Sequence, residues 1–192
     1  MTTLLCYGDS NTYGFDPRGF VDDRYEEDDR WCDLLAKKTG WQVINLGLNG
    51  RTIPKSQREL DVLDQALREA APQLLILLLG TNDILQGYSP QMTAQKMAEL
   101  IGHCKFRFPQ LPLLLLSPPS ARLWDASLSR KIAALGPLYR EISQAQSIPF
   151  LLLPALPLAF DGVHFSEAGH RRLAEFLCSY LCTYFKQGDF MP

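Results

Sequence analysis

Residues 4–14 of the sequence read LLCYGDSNTYG and change abruptly from apolar to polar side chains. The apolar run from Leu4 to Tyr7 has the length and composition of a short buried strand, which ends at Gly8. Ser10 therefore stands just beyond the carboxyl end of a strand, where open α/β sheets bind their ligands. The spacing is not the Gly-x-Ser-x-Gly turn of α/β-hydrolases, because Thr12 occupies the place of the second glycine. A serine in this position is either a nucleophile or an ordinary capping residue of a strand–helix turn.

Five apolar segments alternate with five amphipathic segments along the chain. Continuous apolar runs such as 74–79 are typical of parallel strands that are covered on both faces. Each run is followed by apolar residues at helical spacing, as in 57–70. The order predicts an α/β fold with one open parallel sheet and helices on both faces, in a single domain. The predicted strands are 4–7, 42–46, 74–79, 113–117 and 150–153, and the predicted helices are 31–38, 57–70, 90–106, 128–146 and 167–184.

Composition sets further limits on function. The chain has 192 residues, of which 46% are hydrophobic, and a formal net charge of -2 at pH 7. This length suits one domain with a full core, and the charge gives no electrostatic reason to expect a nucleic acid or an anionic membrane as partner. No apolar run is long enough to cross a bilayer, and the first residues lack the pattern of a secretion signal, so we expect a cytoplasmic protein. The five cysteines are odd in number and scattered, which argues against a disulfide framework.

A loop with seven acidic side chains, residues 15–30, separates the first predicted strand from the first predicted helix. The spacing of these acids does not fit a calcium-binding loop. We expect a solvated surface loop, which is the usual place for such a run of charge. The alternative is a wall of the active site, with Tyr13, Phe15 and Trp31 lining a pocket, because the loop leaves directly from Ser10.

Four separate segments place polar groups at the same predicted edge of the sheet. They are Ser10, the turn 47–50, Asn82 with Asp83, and Asp161 with His164. Acyl transfer needs such a set, because a base must take the proton of the serine hydroxyl and donors must stabilise the oxyanion. Of the three histidines, only His164 follows a strand-end loop and has a carboxylate three residues before it. The pattern indicates a Ser–His–Asp arrangement, in which Asp161 accepts from Nδ1–H while Nε2 faces the serine.

Four sequence blocks resemble those of the GDSL, or SGNH, hydrolase family. They are GDSN at 8–11, GLNG at 47–50, GTND at 80–83 and DGVH at 161–164, and they run in the family's order across nearly the whole chain. The resemblance implies a flavodoxin-like α/β/α sandwich. It also implies that Ser10 is the nucleophile, His164 the base and Asp161 the partner of the base.

The same resemblance implies three donors for the oxyanion: the Ser10 N–H, the side chain of Asn82 and a glycine N–H of the second block. Alignment on Asn45 favours Gly50 as that glycine, with Gly47 as the alternative. Side chains and backbone N–H groups fill all of these roles, so no metal and no cofactor is expected.

Within the family, the sequence is most similar to small intracellular arylesterases and acyltransferases. Asn11 stands where the commonest first block has leucine, which leaves the catalytic set intact and changes the pocket floor. We predict that Asn11, Tyr13 and Arg51 contact the substrate. We expect a small ester of an alcohol, phenol or sugar with a short acyl chain, because little sequence is left to build a long apolar trough. Such relatives can form homo-oligomers through an extra segment after the second block, but residues 53–60 are short here, so a homo-oligomer stays open.

Two other functions fit parts of the pattern. Asp9, Asp83, Asp161 and His164 are hard ligands that a metal-dependent phosphoesterase could use, although no second-histidine cluster supports it. A flavodoxin-like fold could also serve as a non-catalytic binding module, since fold alone does not determine function. The intact serine, asparagine and histidine argue against this last alternative.

Overall fold

The computed structural model of the chain describes residues 2–20 and 23–186. A parallel sheet of five strands lies at its centre, in the order β2-β1-β3-β4-β5. The strands are β1 (Thr3–Gly8), β2 (Gln42–Gly47), β3 (Leu74–Leu78), β4 (Leu113–Leu116) and β5 (Phe150–Leu151). The helices are α1 (Ser10–Tyr13), α2 (Trp31–Thr39), α3 (Gln57–Ala70), α4 (Thr81–Leu85), α5 (Pro90–Arg107), α6 (Ala126–Ala133), α7 (Leu135–Ala145) and α8 (Glu167–Lys186). The predicted α/β fold is confirmed.

Side chains of β1 alternate between two hydrophobic cores, one on each face of the sheet. Leu5 and Tyr7 belong to the core that contains α3, α5, α6 and α7, whereas Leu4 and Cys6 belong to the core that contains α2 and α8. This alternation follows from the two-residue period of a strand. The central strand β3 reads LLILL and is buried along its whole length, as expected for a strand that is covered on both faces.

Two predicted elements differ from those in the structure. The predicted helix 128–146 is two helices, α6 and α7, which meet at Ala134. Pro137 has no N–H to donate to the carbonyl of Ala133, so one continuous helix cannot pass through this point. The strand predicted at 150–153 ends at Leu151, because the N–H of Leu153 donates to Oγ of Ser117 instead of continuing the backbone ladder.

The strand order opens a crevice at the carboxyl end of the sheet. Because β1 lies between β2 and β3, the chain leaves β1 toward one side of the sheet and later returns to the other side. The loops after β1 and β3 therefore diverge, and open α/β sheets bind ligands at such a point. Ser10 follows β1 and Asn82 follows β3, so both residues lie at this crevice.

The structure bears on two further expectations. Throughout the described ranges, no helix combines the length and the apolar character that a bilayer crossing requires. The cytoplasmic location stays a prediction. All five cysteines are free thiols, which agrees with the expected lack of a disulfide framework.

Candidate active site

Ser10 is held at the end of β1 by a very short helix. β1 ends at Gly8 and α1 begins at Ser10, with Asp9 as the N-cap whose Oδ1 accepts from the N–H of Asn11 at 2.9 Å. A side chain at Gly8 would place its Cβ 2.0 Å from Oγ1 of Thr12, so only glycine lets the helix turn back this closely. The Ser10 side chain is thereby directed from a buried turn toward the crevice.

The turn from Asp161 to His164 lies against this serine. Oδ1 of Asp161 accepts from the N–H groups of Val163 and His164 at 3.0 and 3.1 Å, and Oδ2 accepts from Nδ1–H of His164 at 2.5 Å. Nε2 of His164 lies 2.9 Å from Oγ of Ser10. The carboxylate therefore keeps the proton on Nδ1 and leaves the lone pair of Nε2 to accept from the serine hydroxyl.

The carboxyl group of Asp161 is ionised at neutral pH. Partial burial alone would raise its pKa, but the hydrogen bonds from His164 and Val163 outweigh burial and hold the pKa below its ordinary value. An ionised partner at this position favours a positive charge on His164, which appears on the imidazole when it takes the proton of the serine. The structure thus brings together the three residues that the sequence predicts as nucleophile, base and partner.

Two glycines of the turn after β2 were candidates for an oxyanion donor, and the structure separates them. The N–H of Gly47 donates to Oδ1 of Asn45 at 2.8 Å, and a Cβ at Gly47 would lie 2.0 Å from the backbone nitrogen of Tyr13. Gly47 therefore packs β2 against α1 and its N–H is occupied. Gly50 is exposed with φ +72°, and in the described part of the chain no backbone acceptor occupies its N–H. The geometry favours Gly50 over Gly47.

Asn82 reaches the same crevice from the loop after β3. Its Nδ2 donates to the carbonyl of Arg51 at 3.0 Å, which uses one of the two amide hydrogens and fixes the direction of the other. Gly80 precedes it with φ +121°, and a Cβ there would lie 2.4 Å from the hydroxyl of Tyr139. Only glycine therefore allows the sharp exit from β3 that presents Asn82.

The geometry gives the predicted substrate contact at Asn11 no support. The residue is 1% exposed, and both ends of its side-chain amide bind the protein: Nδ2 donates to the carbonyl of Val163 at 3.3 Å and Oδ1 accepts from the N–H of Phe165 at 2.8 Å. These partners lie more than 150 residues away in sequence, so no local pattern could reveal them.

The predicted substrate contact of Arg51 also stays untested, and the structure gives this side chain partners within the protein. Its Nη1 donates to the carbonyls of Gly8, at 3.1 Å, and Leu46, and its guanidinium lies 4.3 Å from the centre of the Tyr7 ring. The side chain therefore joins the ends of β1 and β2 rather than pointing to a substrate. Burial lowers its pKa. Tyr13 is half-buried beneath the guanidinium of Arg24, 4.3 Å from the ring centre, and its contact with substrate stays a prediction.

The acidic loop 15–30 has features of both predicted alternatives. Its tip is exposed, as expected of a solvated loop, but the ring of Phe15 packs edge-on against His164, with 4.8 Å between ring centres. Arg18 of this loop binds Glu167 at the start of α8 at 2.8 Å. Trp31 belongs to the buried core instead of lining a pocket. Asp22 lies outside the described residues.

The two carboxyl groups proposed as extra metal ligands are buried in the protein interior. Asp9 is 2% exposed, and burial, with the charge of Asp83 nearby, raises its pKa to about 7. Asp83 is fully buried and its Oδ2 accepts from the N–H of Ile53 at 3.0 Å. Within residues 2–20 and 23–186, no three histidine, cysteine or acidic side chains come together as ligands. The geometry thus gives the phosphoesterase alternative no support.

An α/β/α sandwich with a Ser–His–Asp series of hydrogen bonds at the carboxyl edge of its sheet is the architecture of a serine hydrolase. The chain belongs to the GDSL-like lipase/acylhydrolase family, whose model matches residues 6–172. It is a carboxylic ester hydrolase of that family, as the sequence predicts.

Individual relatives agree with this assignment. The chain is 25% identical to the thioesterase 1/protease 1/lysophospholipase L1 of Escherichia coli K12 over 187 residues, which cover 93% of this chain and 83% of the relative. It resembles the inhibitor-bound aryl esterase of M. smegmatis with a TM-score of 0.83 and 25% identity, over 95% of this chain and 99% of that one. It resembles a carbohydrate acetylesterase family member from Sinorhizobium meliloti with a TM-score of 0.80 and 27% identity, over 94% and 97% of the two chains.

Proposed function

We propose that this chain is a serine esterase that hydrolyses short-chain acyl esters of small alcohols, phenols or sugars through an acyl-enzyme intermediate. The observation that carries the proposal is the 2.9 Å contact between Oγ of Ser10 and Nε2 of His164, with Asp161 bound to the other ring nitrogen. A serine hydroxyl is a weak nucleophile until a base removes its proton, and this contact supplies the base.

In the acylation step, Oγ of Ser10 attacks the carbonyl carbon of the ester while Nε2 of His164 takes the hydroxyl proton. Asp161 stabilises the imidazolium that forms, because its carboxylate is ionised and already hydrogen-bonded to Nδ1–H. When the tetrahedral intermediate collapses, the bond to the leaving oxygen breaks and His164 gives its proton to the departing alcohol. The acyl group is then bound to Ser10 as an ester.

The oxyanion of the intermediate is stabilised by three donors at the crevice. The Ser10 N–H is the first of the helix α1 and therefore has no partner within that helix. Gly50 offers a backbone N–H from the turn after β2, and Asn82 offers the amide hydrogen that Arg51 does not use. Donors that are fixed before reaction stabilise the developing charge without reorganising.

Deacylation repeats the same chemistry with water in place of the alcohol. His164 takes a proton from the water, the hydroxyl attacks the acyl carbonyl, and the collapse of the second intermediate returns the proton to Oγ of Ser10. A small alcohol that replaced the water would receive the acyl group instead. Every proton transfer in this cycle uses Nε2 of His164, so no metal and no cofactor is required.

The charge around the site supports a short acyl chain. The acidic loop that leaves Ser10 carries Asp16, Arg18 and Asp23 near its tip, and charged groups desolvate poorly over a fatty chain. Each added methylene contributes about 0.8 kcal/mol of binding only where it is buried. The names of two structural neighbours, an aryl esterase and a carbohydrate acetylesterase family member, support aryl or sugar esters of a small acid. We propose a free small-molecule ester as the partner, rather than a nucleic acid or a membrane.

The test is a series of p-nitrophenyl esters with acyl chains of about two to sixteen carbons, with Ser10→Ala as the blank. The proposal predicts that kcat/KM peaks between the acetyl and butyryl esters and falls by the octanoyl ester, because burial of further methylenes stops. An optimum at about ten carbons or more would overturn the short-chain assignment and leave the esterase assignment intact. A second series of acetylated phenols and sugars then ranks the leaving alcohols by their kcat/KM.

A further inference from the structure

Asn11 connects the nucleophile to the base in an unusual way. It follows Ser10 directly in α1, and its side chain binds the backbone on both sides of His164: Nδ2 donates to the carbonyl of Val163 and Oδ1 accepts from the N–H of Phe165. The residue adjacent to the serine thus holds the two peptide groups adjacent to the histidine. One side chain fixes the two segments whose separation determines the Oγ–Nε2 contact.

A primary amide of this length is the side chain that suits both bonds. The carbonyl of Val163 needs a donor and the N–H of Phe165 needs an acceptor, and an amide offers both at its two ends. The leucine of the commonest first block offers neither, and an ionised carboxylate offers only acceptors. This chain therefore uses a polar contact where the commonest block has an apolar side chain.

Asn11 is itself held rigidly, so it can transmit position. It is 1% exposed, its N–H donates to Oδ1 of Asp9, and its carbonyl accepts from Nε1 of Trp31 at 3.0 Å. The N–H of Trp31 donates in turn to Nδ1 of the buried His170 at 3.4 Å. Both backbone groups and both side-chain groups of Asn11 are thus engaged, which leaves it one arrangement.

We propose that Asn11 is a positioning residue that sets the distance and angle between Nε2 of His164 and Oγ of Ser10 in the free enzyme. The inference rests on the proposed function, because it concerns the proton transfer between these two atoms. Asn11 contacts neither the substrate nor the reacting atoms, so its loss changes the chemical step and not the binding of the ester. A misplacement of about 1 Å at such a contact can cost about a hundredfold in rate.

The first test is Asn11→Leu, assayed on p-nitrophenyl acetate and with a fluorophosphonate probe. We expect kcat to fall about 10- to 100-fold with KM within about twofold, and the inactivation rate of the probe to fall in parallel. A rise in KM at constant kcat would restore the role of a substrate contact and overturn the proposal. So would a kcat within about twofold of the natural enzyme.

The second test, Asn11→Asp, also covers the case in which the leucine variant does not fold. When protonated, the new carboxyl group can donate to Val163 and accept from Phe165 as the amide does; when ionised it cannot. The titratable groups nearest in this network are Asp9, which accepts from the N–H of Asn11, the Asp161–His164 pair in the turn that Asn11 binds, and His170, which accepts from the N–H of Trp31. We expect kcat of this variant to decline with rising pH in the range where the natural enzyme keeps its rate, and a profile parallel to that of the natural enzyme would contradict the proposal.

A matched control separates positioning from stability. Gln146 also binds a backbone carbonyl through its side-chain amide, that of Ala98 at 2.9 Å, but it links α5 to the end of α7. Gln146→Leu should lose stability while keeping the kcat and pH profile of the natural enzyme. If Ser10→Ala is inactive and Asn11→Leu is fully active, only this inference fails; if Ser10→Ala keeps full activity, the proposed function itself fails.

Discussion

Two aspartate–histidine pairs lie within residues 2–20 and 23–186, and one of these two faces a serine. In the candidate active site, Asp161 binds Nδ1 of His164 at 2.5 Å, within one turn of chain. Elsewhere, Asp64 of α3 binds Nε2 of His103 of α5 at 2.7 Å. Distance alone does not separate the two pairs, so the difference between them must come from their surroundings.

The surroundings of the two carboxylates differ in charge. Asp64 is 1% exposed and also accepts from Nε of Arg107 at 2.9 Å and Nη2 of Arg68 at 3.4 Å. Two guanidinium groups thus compete with His103 for its negative charge. Asp161 is bound by two backbone N–H groups and by His164, with no arginine in contact among the described ion pairs. Its charge is therefore available to an imidazolium.

The comparison teaches that an Asp–His pair supports catalysis only when three conditions meet. The carboxylate must be free of competing cations, the second ring nitrogen must be open, and a hydroxyl must lie within reach of it. The pair in the candidate active site meets all three. The pair between α3 and α5 joins two helices, and we assign it to stability alone.

The largest expected effect is the difference in kcat between alanine variants of the two paired histidines, His164 and His103. His164→Ala should lower kcat by about 10⁵-fold, because among the described hydrogen bonds no other base contacts Oγ of Ser10. His103→Ala should keep kcat within about twofold and lower only the melting temperature. Steady-state kinetics on one ester measure both variants, and a comparable loss of activity in the two would break the distinction.

The carboxylates give the next effect in size. Asp161→Asn should reduce kcat by about 10⁴-fold, since an amide there would mis-set the tautomer of His164. Asp64→Asn should leave kcat unchanged and destabilise the fold by about 1 kcal/mol, because the buried side chain loses the negative charge that accepts from His103 and the two half-exposed arginines. Urea unfolding measures the stability of both variants, and steady-state kinetics on the same preparations measure their kcat. Loss of rate in Asp64→Asn, at full stability, would count against the assignment.

Asn82→Ala is expected to act on the rate alone. Removal of one oxyanion donor typically lowers kcat by about 10²–10³-fold with little change in KM. Gly47 and Gly50 cannot be tested so simply, because substitution at either changes the backbone. If KM rose and kcat held, Asn82 would be a ground-state contact with the substrate instead.

The third histidine gives the smallest effect, on stability. Burial, with the charge of His164 nearby, lowers the pKa of His170 to about 3 from 6.5. Between these two pH values the unfolded chain binds more protons than the folded chain does. The contribution of His170 to stability is therefore fully present above pH 6.5 and is lost as the pH falls toward 3. Asp9 acts in the opposite direction, because its pKa is raised from 3.8 to about 7: its contribution is full below 3.8 and lost as the pH rises through 7.

The contributions of His170 and Asp9 to the pH dependence of the free energy of unfolding should nearly cancel between about pH 4 and 6.5. In His170→Asn, the free energy of unfolding should therefore fall by about 1.4 kcal/mol for each unit of rising pH. In Asp9→Asn it should rise by a similar amount. Urea unfolding at several pH values measures the slopes. Identical slopes in both variants and the natural protein would show that neither group is buried as the structure has it.

The sequence was sufficient to predict the sheet and to predict which polar residues meet at its carboxyl edge, because both follow from local features. Apolar runs define the strands, and polar groups at strand ends define the crevice where Ser10, Asn82 and His164 lie. The break between α6 and α7 also has a local cause, Pro137, but the helical periodicity on both sides of it concealed the break. These are properties of short segments and need no knowledge of distant contacts.

What the sequence could not predict depends on contacts between distant segments. Asn11 binds residues more than 150 positions away, and Arg51 binds the end of a strand that comes much earlier in the chain. Asp64 of α3 gains two of its partners, His103 and Arg107, from α5. In each case the side chain type allows several roles, and only the packing of the helices on the sheet selects one.

Covalent labelling tests the central claim most directly, namely that Ser10 is a nucleophile activated by His164. The protein is treated with a fluorophosphonate, and the labelled peptide is located by mass spectrometry in the natural chain, in His164→Ala and in His103→Ala. The account predicts one adduct on Ser10, loss of esterase activity in step with labelling, slow labelling in His164→Ala and normal labelling in His103→Ala. An adduct on another residue, or full esterase activity in Ser10→Ala, would contradict it.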